Sequence, residues 1–270
     1  MTILIAVGIV AGLALAAGLI LAVASIVMAV PRDEKVEQLR EALPGANCGA
    51  CGYSGCDGYA KAMAHEGARV GLCAPGGAAT VEATSAILGV EGTLEAKVAM
   101  VHCGGCEEVA ARKLVYRGVP SCAAAAQFYG GDRQCSYGCL GYGDCAAACE
   151  YGAITVENGL AHIQPELCRA CGLCVKTCPK ALITLMPAAT RSIVRCSSHD
   201  KGATVRKACT AGCIGCMKCT KVCEYDAIHV ENFLASIDDE KCVGCGACAE
   251  ACPVSCIEVF GHVPAENPEN

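Results

Sequence analysis

The sequence predicts an α+β chain with one apolar N-terminal helix, a small cysteine-rich domain and two tandem copies of a single module. Three observations predict it. Residues 3–30 hold no charged side chain. Twenty-six of the 270 residues are Cys, and most stand in tight runs of four. Residues 122–183 align with 196–257 at a constant offset of 74, without a gap, with 25 identities in 62 positions.

The apolar stretch comes first. Ile3 to Val30 has Ser25 as its one polar side chain, and it exceeds the ~20 residues a bilayer-spanning helix needs. A cleaved signal peptide would carry a basic residue ahead of a shorter apolar run. None precedes Ile3, although Ala22-Val23-Ala24 has the character of a cleavage site. A retained, single transmembrane helix over residues 1–30 is the expectation. Arg32, Lys35 and Arg40 follow it directly, which places the rest of the chain on the cytoplasmic side of the cell membrane. That compartment keeps thiols reduced and available to metal. Gly8 and Gly12 form a G-x-x-x-G pair through which another helix can approach.

Residues 31–77 form the small domain. An amphipathic helix is expected over 32–43, with Val36, Leu39 and Leu43 on one face and Pro44-Gly45 as its stop. Cys48, Cys51 and Cys56 follow, then a helical stretch from Asp57 to Glu66, then Cys73. Residues 78–121 read as a linker or connecting segment, with 78–100 either a linker or a small helical connection. The two modules occupy 122–190 and 191–260, and 261–270 is a tail. Each module has two short β-rich runs around a turn, and in the first the turn is Asn158-Gly159, a strong hairpin signal.

The cysteine spacing carries the chemistry. Cys168-x2-Cys171-x2-Cys174-x3-Cys178-Pro179 and Cys242-x2-Cys245-x2-Cys248-x3-Cys252-Pro253 match the bacterial ferredoxin run. Cys213-x2-Cys216-x2-Cys219-x3-Cys223 matches it too, with Glu224 in the usual Pro position. In such runs three thiolates hold three corners of one [4Fe–4S] cubane, and the fourth Cys ligates the neighbouring cluster. Module two is expected to hold one cluster on Cys213, Cys216, Cys219 and Cys252, and another on Cys242, Cys245, Cys248 and Cys223. A zinc ribbon would instead show well-separated Cys pairs.

Module one departs at one position, because Cys216 maps onto Tyr142. Cys135 is the nearest substitute. The expected ligands are then Cys135, Cys139, Cys145 and Cys178 for one cluster, and Cys168, Cys171, Cys174 and Cys149 for the other. Cys209, the equivalent of Cys135, is expected to be spare. Cys48, Cys51, Cys56 and Cys73 make a separate cluster, for five in all. Cys103, Cys106 and Cys122 are candidates for a sixth that lacks an obvious fourth ligand, and His102 beside them reads as structural. Cys196 and Cys256 read as buried thiols. With no Trp and three Phe, clusters are expected to replace part of an aromatic core.

The order of parts resembles the B subunit of the Rnf complex. LPGANCGACGYSGCDGYAKAM (43–63) is similar to that family's first cluster motif, and CSYGCLGYGDCAAAC (135–149) to the irregular first run of its longer members. The resemblance implies a single N-terminal transmembrane helix, a small Fe–S domain and two tandem bacterial 2[4Fe–4S] ferredoxin-like modules. It also implies a subunit of an ion-transporting ferredoxin:NAD+ oxidoreductase that takes electrons from reduced ferredoxin. Its partners would be the membrane and the other Rnf membrane and peripheral subunits. Net charge is −6, which argues against nucleic-acid binding. No general acid, nucleophile or nucleotide-binding glycine loop is found on this chain, so NAD+ and flavin chemistry would lie elsewhere. An iron–sulfur subunit of a membrane hydrogenase or formate complex, and a redox sensor, are the competing readings. Residues 188–212 carry Arg191, Arg195, Lys201, Arg206 and Lys207 against Asp200 alone. Such a patch would steer an acidic ferredoxin, or merely keep an inter-module linker soluble.

Overall fold

The computed structural model describes residues 2–27, 33–94 and 96–260. Helix α1 spans Thr2–Val27, as the uncharged stretch predicts. Among the described residues, no helix is long and apolar enough to cross a membrane. The tail expected at 261–270 lies outside the described residues.

Three helices build the small domain: α2 (Glu34–Ala42), α3 (Cys56–His65) and α4 (Gly77–Leu88). The Asp33 carboxylate caps α2 by accepting from the backbone N–H of Lys35 at 2.9 Å. Leu39 and Leu43 pack inward with Tyr59, Met63, Val70 and Val81. Burial of this set at about 25 cal/mol per Å² holds the three helices around Cys56 and Cys73, which belong to the same core.

The rest consists of short elements around cysteines. β1 (Lys97–Val101), α5 (Cys122–Ala126), α6 (Asp144–Ala147), β2 (Ile154–Glu157), β3 (Leu160–Ile163), α7 (Leu173–Thr177) and β4 (Ile183–Pro187) come first. β5 (Ser192–Val194), α8 (Gly202–Ala208), α9 (Lys218–Val222), β6 (Ile228–Glu231), β7 (Leu234–Ile237), α10 (Ala247–Glu250) and β8 (Ile257–Val259) follow. The strands pair into four separate two-stranded antiparallel sheets: β1–β4, β2–β3, β5–β8 and β6–β7. Asn158 and Gly159 both take positive φ between Glu157 and Leu160, the geometry of a type I′ turn.

The segment read as a connection holds the small helix expected there and, beyond it, a strand. Residues 77–88 are helical, and Lys97–Val101 is the strand that closes module one against β4. Its register exposes a relation that the sequence offset conceals. Val101 pairs with Ile183, and Val194 pairs with Ile257. The two isoleucines are 74 positions apart, whereas the two valines are 93 apart. Module one thus carries 19 extra residues after its first strand, and Cys103 is the structural counterpart of Cys196.

Candidate metal centres

The cysteines gather into groups. In the small domain, burial raises the Cys73 thiol above its ordinary value, and the Cys56, Cys51 and Cys48 sulfurs beside it raise it further. The expected N-terminal quartet is therefore one cluster of side chains. Asn47 helps to place it, its Oδ1 accepting from the Cys56 N–H at 2.8 Å.

Cys149, Cys168, Cys171 and Cys174 line one cavity of about 330 Å³. Cys223, Cys242, Cys245 and Cys248 line another of about 350 Å³. Each set includes the Cys from the other run of its module, as the exchange pattern expects. Burial, with Cys171, Cys168 and Cys149 adding to it, pushes Cys174 up to about 11. Cys213, Cys219 and Cys252 share a core with β6 and β8. Burial, Cys213 and then Cys216 push Cys219 up to about 11.

Module one's irregular site differs from expectation. Its cavity of about 370 Å³ is lined by Cys122, Cys139, Cys145 and Cys178. Burial, together with Cys139, Cys122 and Cys178, pushes Cys145 up to about 12. Cys122, not Cys135, stands with the other three. The cause is local. Burial alone would raise Asp144, but it accepts from the N–H groups of Ala123 (2.9 Å) and Cys122 (2.8 Å) and from the Ser121 hydroxyl (2.9 Å), which hold it below the usual carboxylate range. These bonds tie the start of α5 to the residue before Cys145. Tyr142, at the missing ligand position, donates its hydroxyl to buried Asp132 at 3.1 Å.

Cys135 lines a different cavity, with Cys103, Cys196 and Cys209, and Cys139 lies on the wall between the two. Here Cys209 is not spare by position. Cys106 is not among that cavity's lining residues. His102 is structural, as read: its ring nitrogens meet the Val194 carbonyl at 3.2 Å and Thr184 Oγ1 at 2.7 Å, bracing the two modules.

These groups suit an iron–sulfur cluster. The grouped donors are thiols. Backbone N–H groups are aimed at the sulfurs: Ala170 to Cys168 at 3.5 Å, Gly141 to Cys139, Leu173 to Cys171 and Gly215 to Cys213. Each comes from two residues downstream. Such bonds stabilise the charge a cubane places on its ligands.

Comparison with known proteins agrees with this chemistry. A family model for an Fe-S cluster matches residues 43–75, "4Fe-4S binding domain" matches 161–184, and "4Fe-4S dicluster domain" matches 203–259. The chain is 45% identical over 257 residues to the B subunit of the Na+-translocating ferredoxin:NAD+ oxidoreductase complex of Acetobacterium woodii, covering 94% of this chain and 77% of that protein. It is 39% identical over 237 residues to the B subunit of the ion-translocating oxidoreductase complex of Methanosarcina acetivorans, covering 87% and 90%. The chain belongs to the family of B subunits of ion-translocating oxidoreductase complexes. The B subunit of the proton-translocating ferredoxin:NAD+ oxidoreductase complex of Clostridium ljungdahlii is similar as well, at 38% over 224 residues, 82% of this chain and 79% of that one. The chain thus carries several [4Fe–4S] domains and works as one part of a larger oxidoreductase.

One further thiol touches a ligand group. Cys256 is buried, its Sγ lies 3.6 Å from that of Cys252, and it donates to Cys213. That bond holds Cys213 down to about 6 and raises Cys256. Module one has Leu182 at this position. Cys256→Leu is expected to keep the iron content and lower one reduction potential. A lost bond of about 1 kcal/mol to the more negative, reduced site corresponds to ~40 mV for one electron. A potentiometric EPR titration measures the shift, and an unchanged midpoint would contradict it.

Proposed function

We propose that this chain is a membrane-anchored electron conduit. It takes electrons from reduced ferredoxin and passes them to partner subunits of an ion-translocating ferredoxin:NAD+ oxidoreductase. The observation that carries the reading is the order of the thiol groups. Cys216 and Cys245, the exposed cysteines, both belong to module two. At the far end, Cys48 of the small domain stands beside Cys171 of module one, adding to the burial that raises its thiol. Lys176 donates to the Cys48 carbonyl at 3.0 Å across the same contact. The small domain follows α1, whose 26 residues give about 39 Å of helix against a hydrocarbon core of ~30 Å. We read α1 as the transmembrane helix and the cysteine domains as cytoplasmic.

The five ligand sets of this reading are Cys48, Cys51, Cys56 and Cys73; Cys122, Cys139, Cys145 and Cys178; Cys149, Cys168, Cys171 and Cys174; Cys213, Cys216, Cys219 and Cys252; and Cys223, Cys242, Cys245 and Cys248. A bound [4Fe–4S] cluster supplies one-electron chemistry without proton transfer or bond making. The chain's own task is to hold the thiolates, direct N–H groups at them and keep most of the sites dry.

Ferredoxin docking is assigned to module two. The basic segment is folded rather than a loose linker: Arg195 pairs with Glu258 at 3.1 Å, while Arg206 and Lys207 are exposed in the last turn of α8. Replacing both with Glu is expected to slow ferredoxin-driven reduction roughly tenfold at low salt through the association rate, with the defect shrinking as salt rises. Stopped-flow reduction at two ionic strengths measures it. A wild-type rate at low salt with intact clusters would move docking to Lys218 and Lys221, beside exposed Cys216.

A further inference from the structure

The cavity of Cys149, Cys168, Cys171 and Cys174 and that of Cys223, Cys242, Cys245 and Cys248 are near copies. Thirteen residues line each one, and they correspond position by position. Twelve of the pairs stand 74 apart. The thirteenth comes from β1 and β5, where register with β4 and β8 makes Ala99 the counterpart of Ser192. Nine pairs are identical, the four cysteines included. Those that differ are Ala99 and Ser192, Arg169 and Val243, Ala170 and Gly244, and Leu173 and Ala247. Arg169 is exposed, so solvent screens its charge. Ser192 is the one difference that puts a side-chain donor on a buried wall.

We propose that the Ser192 hydroxyl donates to the Cys242 corner of the cluster on Cys223, Cys242, Cys245 and Cys248, and thereby raises the reduction potential of that site. This rests on the ligand sets of the conduit reading and adds a residue that sets where an electron comes to rest.

Three observations support it. Ser192 is 1% exposed, and its Oγ meets no acceptor among the described residues. A buried hydroxyl left unpaired is costly, and native interiors rarely keep one. Second, the same strand position already touches a ligand in module one. There the Ala99 N–H donates to Cys168 Sγ at 3.4 Å, and Cys168 is the counterpart of Cys242. A serine at the equivalent place adds an O–H to a wall that lies against that corner. Third, the cavity offers sulfur as the acceptor. Apart from Ser192 and half-exposed Tyr225, its lining side chains are apolar, glycine or cysteine.

The sign follows from charge. Reduction adds one negative charge to a cluster and its thiolates, so a donor aimed at them stabilises the reduced form more than the oxidised one. Cys245 of this set is exposed. The raised potential therefore falls at the surface end of module two, where it favours uptake of an electron from outside. Ser192 also lines the groove between the modules, with His102 and Thr184. A hydroxyl turned to that groove would leave the cluster untouched.

The test is a potentiometric EPR titration of the full chain, isolated anaerobically, together with its iron content. In Ser192→Ala one midpoint is expected to fall while iron and the other midpoints stay unchanged. Its one-electron reduction constant should drop about fivefold, or ~40 mV at about 59 mV per tenfold. In Ala99→Ser, which leaves Ser192 in place, a different midpoint should rise by a similar factor. A serine with a purely structural role would move neither. Unchanged midpoints in Ser192→Ala at full iron content would overturn the assignment and turn the hydroxyl to the groove. Should Ser192→Ala lose iron, Ala99→Ser decides alone, and a flat result there overturns the assignment as well. Wild-type protein that ferredoxin fails to reduce, with the Ser192→Ala shift present, would overturn the conduit reading and leave the role of the serine standing.

Discussion

Replacing Cys122 with Ala is expected to remove one cluster, about four Fe per chain, and to break the path between the modules and the small domain. Cys122 faces Cys139, Cys145 and Cys178 across one cavity, and Asp144 fixes the backbone that carries it. Spacing alone nominates Cys135 for that place, and under that assignment Cys122→Ala would be silent. Cys135→Ala sharpens the contrast, because it should keep this cluster, whereas the spacing assignment predicts the loss there. Iron analysis and the EPR spin count of the reduced protein decide between the two results.

Removing the iron altogether is expected to unfold residues 97–260 as a cooperative unit. Four isolated two-stranded sheets make up their β-structure, and a two-stranded hairpin is marginal on its own. Cysteines interleave with the aliphatic core around β1, β3 and β4: Cys103, Cys145 and Cys174 are among its buried residues, with Cys106, Cys139, Cys149, Cys168 and Cys178 packed on it. Structural metal sites contribute on the order of 10 kcal/mol each, comparable to the 5–15 kcal/mol that stabilises a whole domain. After anaerobic chelation, far-UV circular dichroism should show lost strand signal and melting should lose its sharp transition. The α2–α4 domain has an apolar core of Leu39, Tyr59, Met63 and Val70 besides its cysteines, so residual helix signal is expected. An apo chain that still melts sharply would contradict this account of the core.

Much of this was legible in the sequence because it is local. A ferredoxin run places three ligands within seven residues, so spacing alone identifies Cys168, Cys171 and Cys174, or Cys242, Cys245 and Cys248. The hairpin at Asn158-Gly159 and the cap at Asp33 are local for the same reason. What spacing hides is long-range. The 19 residues inserted after β1 shift Cys103 out of the alignment, so the constant offset pairs Cys196 with Cys122 when the strands pair it with Cys103. The offset did hold a usable sign. Cys122 and Cys196 align, as do Cys135 and Cys209, and two aligned cysteine pairs outside the runs are hard to assign to chance burial. The N-terminal helix was legible in composition, and α1 forms there; among the described residues no helix is long and apolar enough to cross a membrane.

The central claim is a row of clusters from the exposed end of module two to the small domain that follows α1. Cryo-electron microscopy of the native, anaerobically prepared complex tests it most directly, since four-iron clusters are dense features whose ligands can be traced. The account predicts cluster density at each of the five ligand sets, with Cys122 in the Cys139 site. A missing cluster in that row, or Cys135 ligating beside Cys139 while Cys122 stands free, would contradict it.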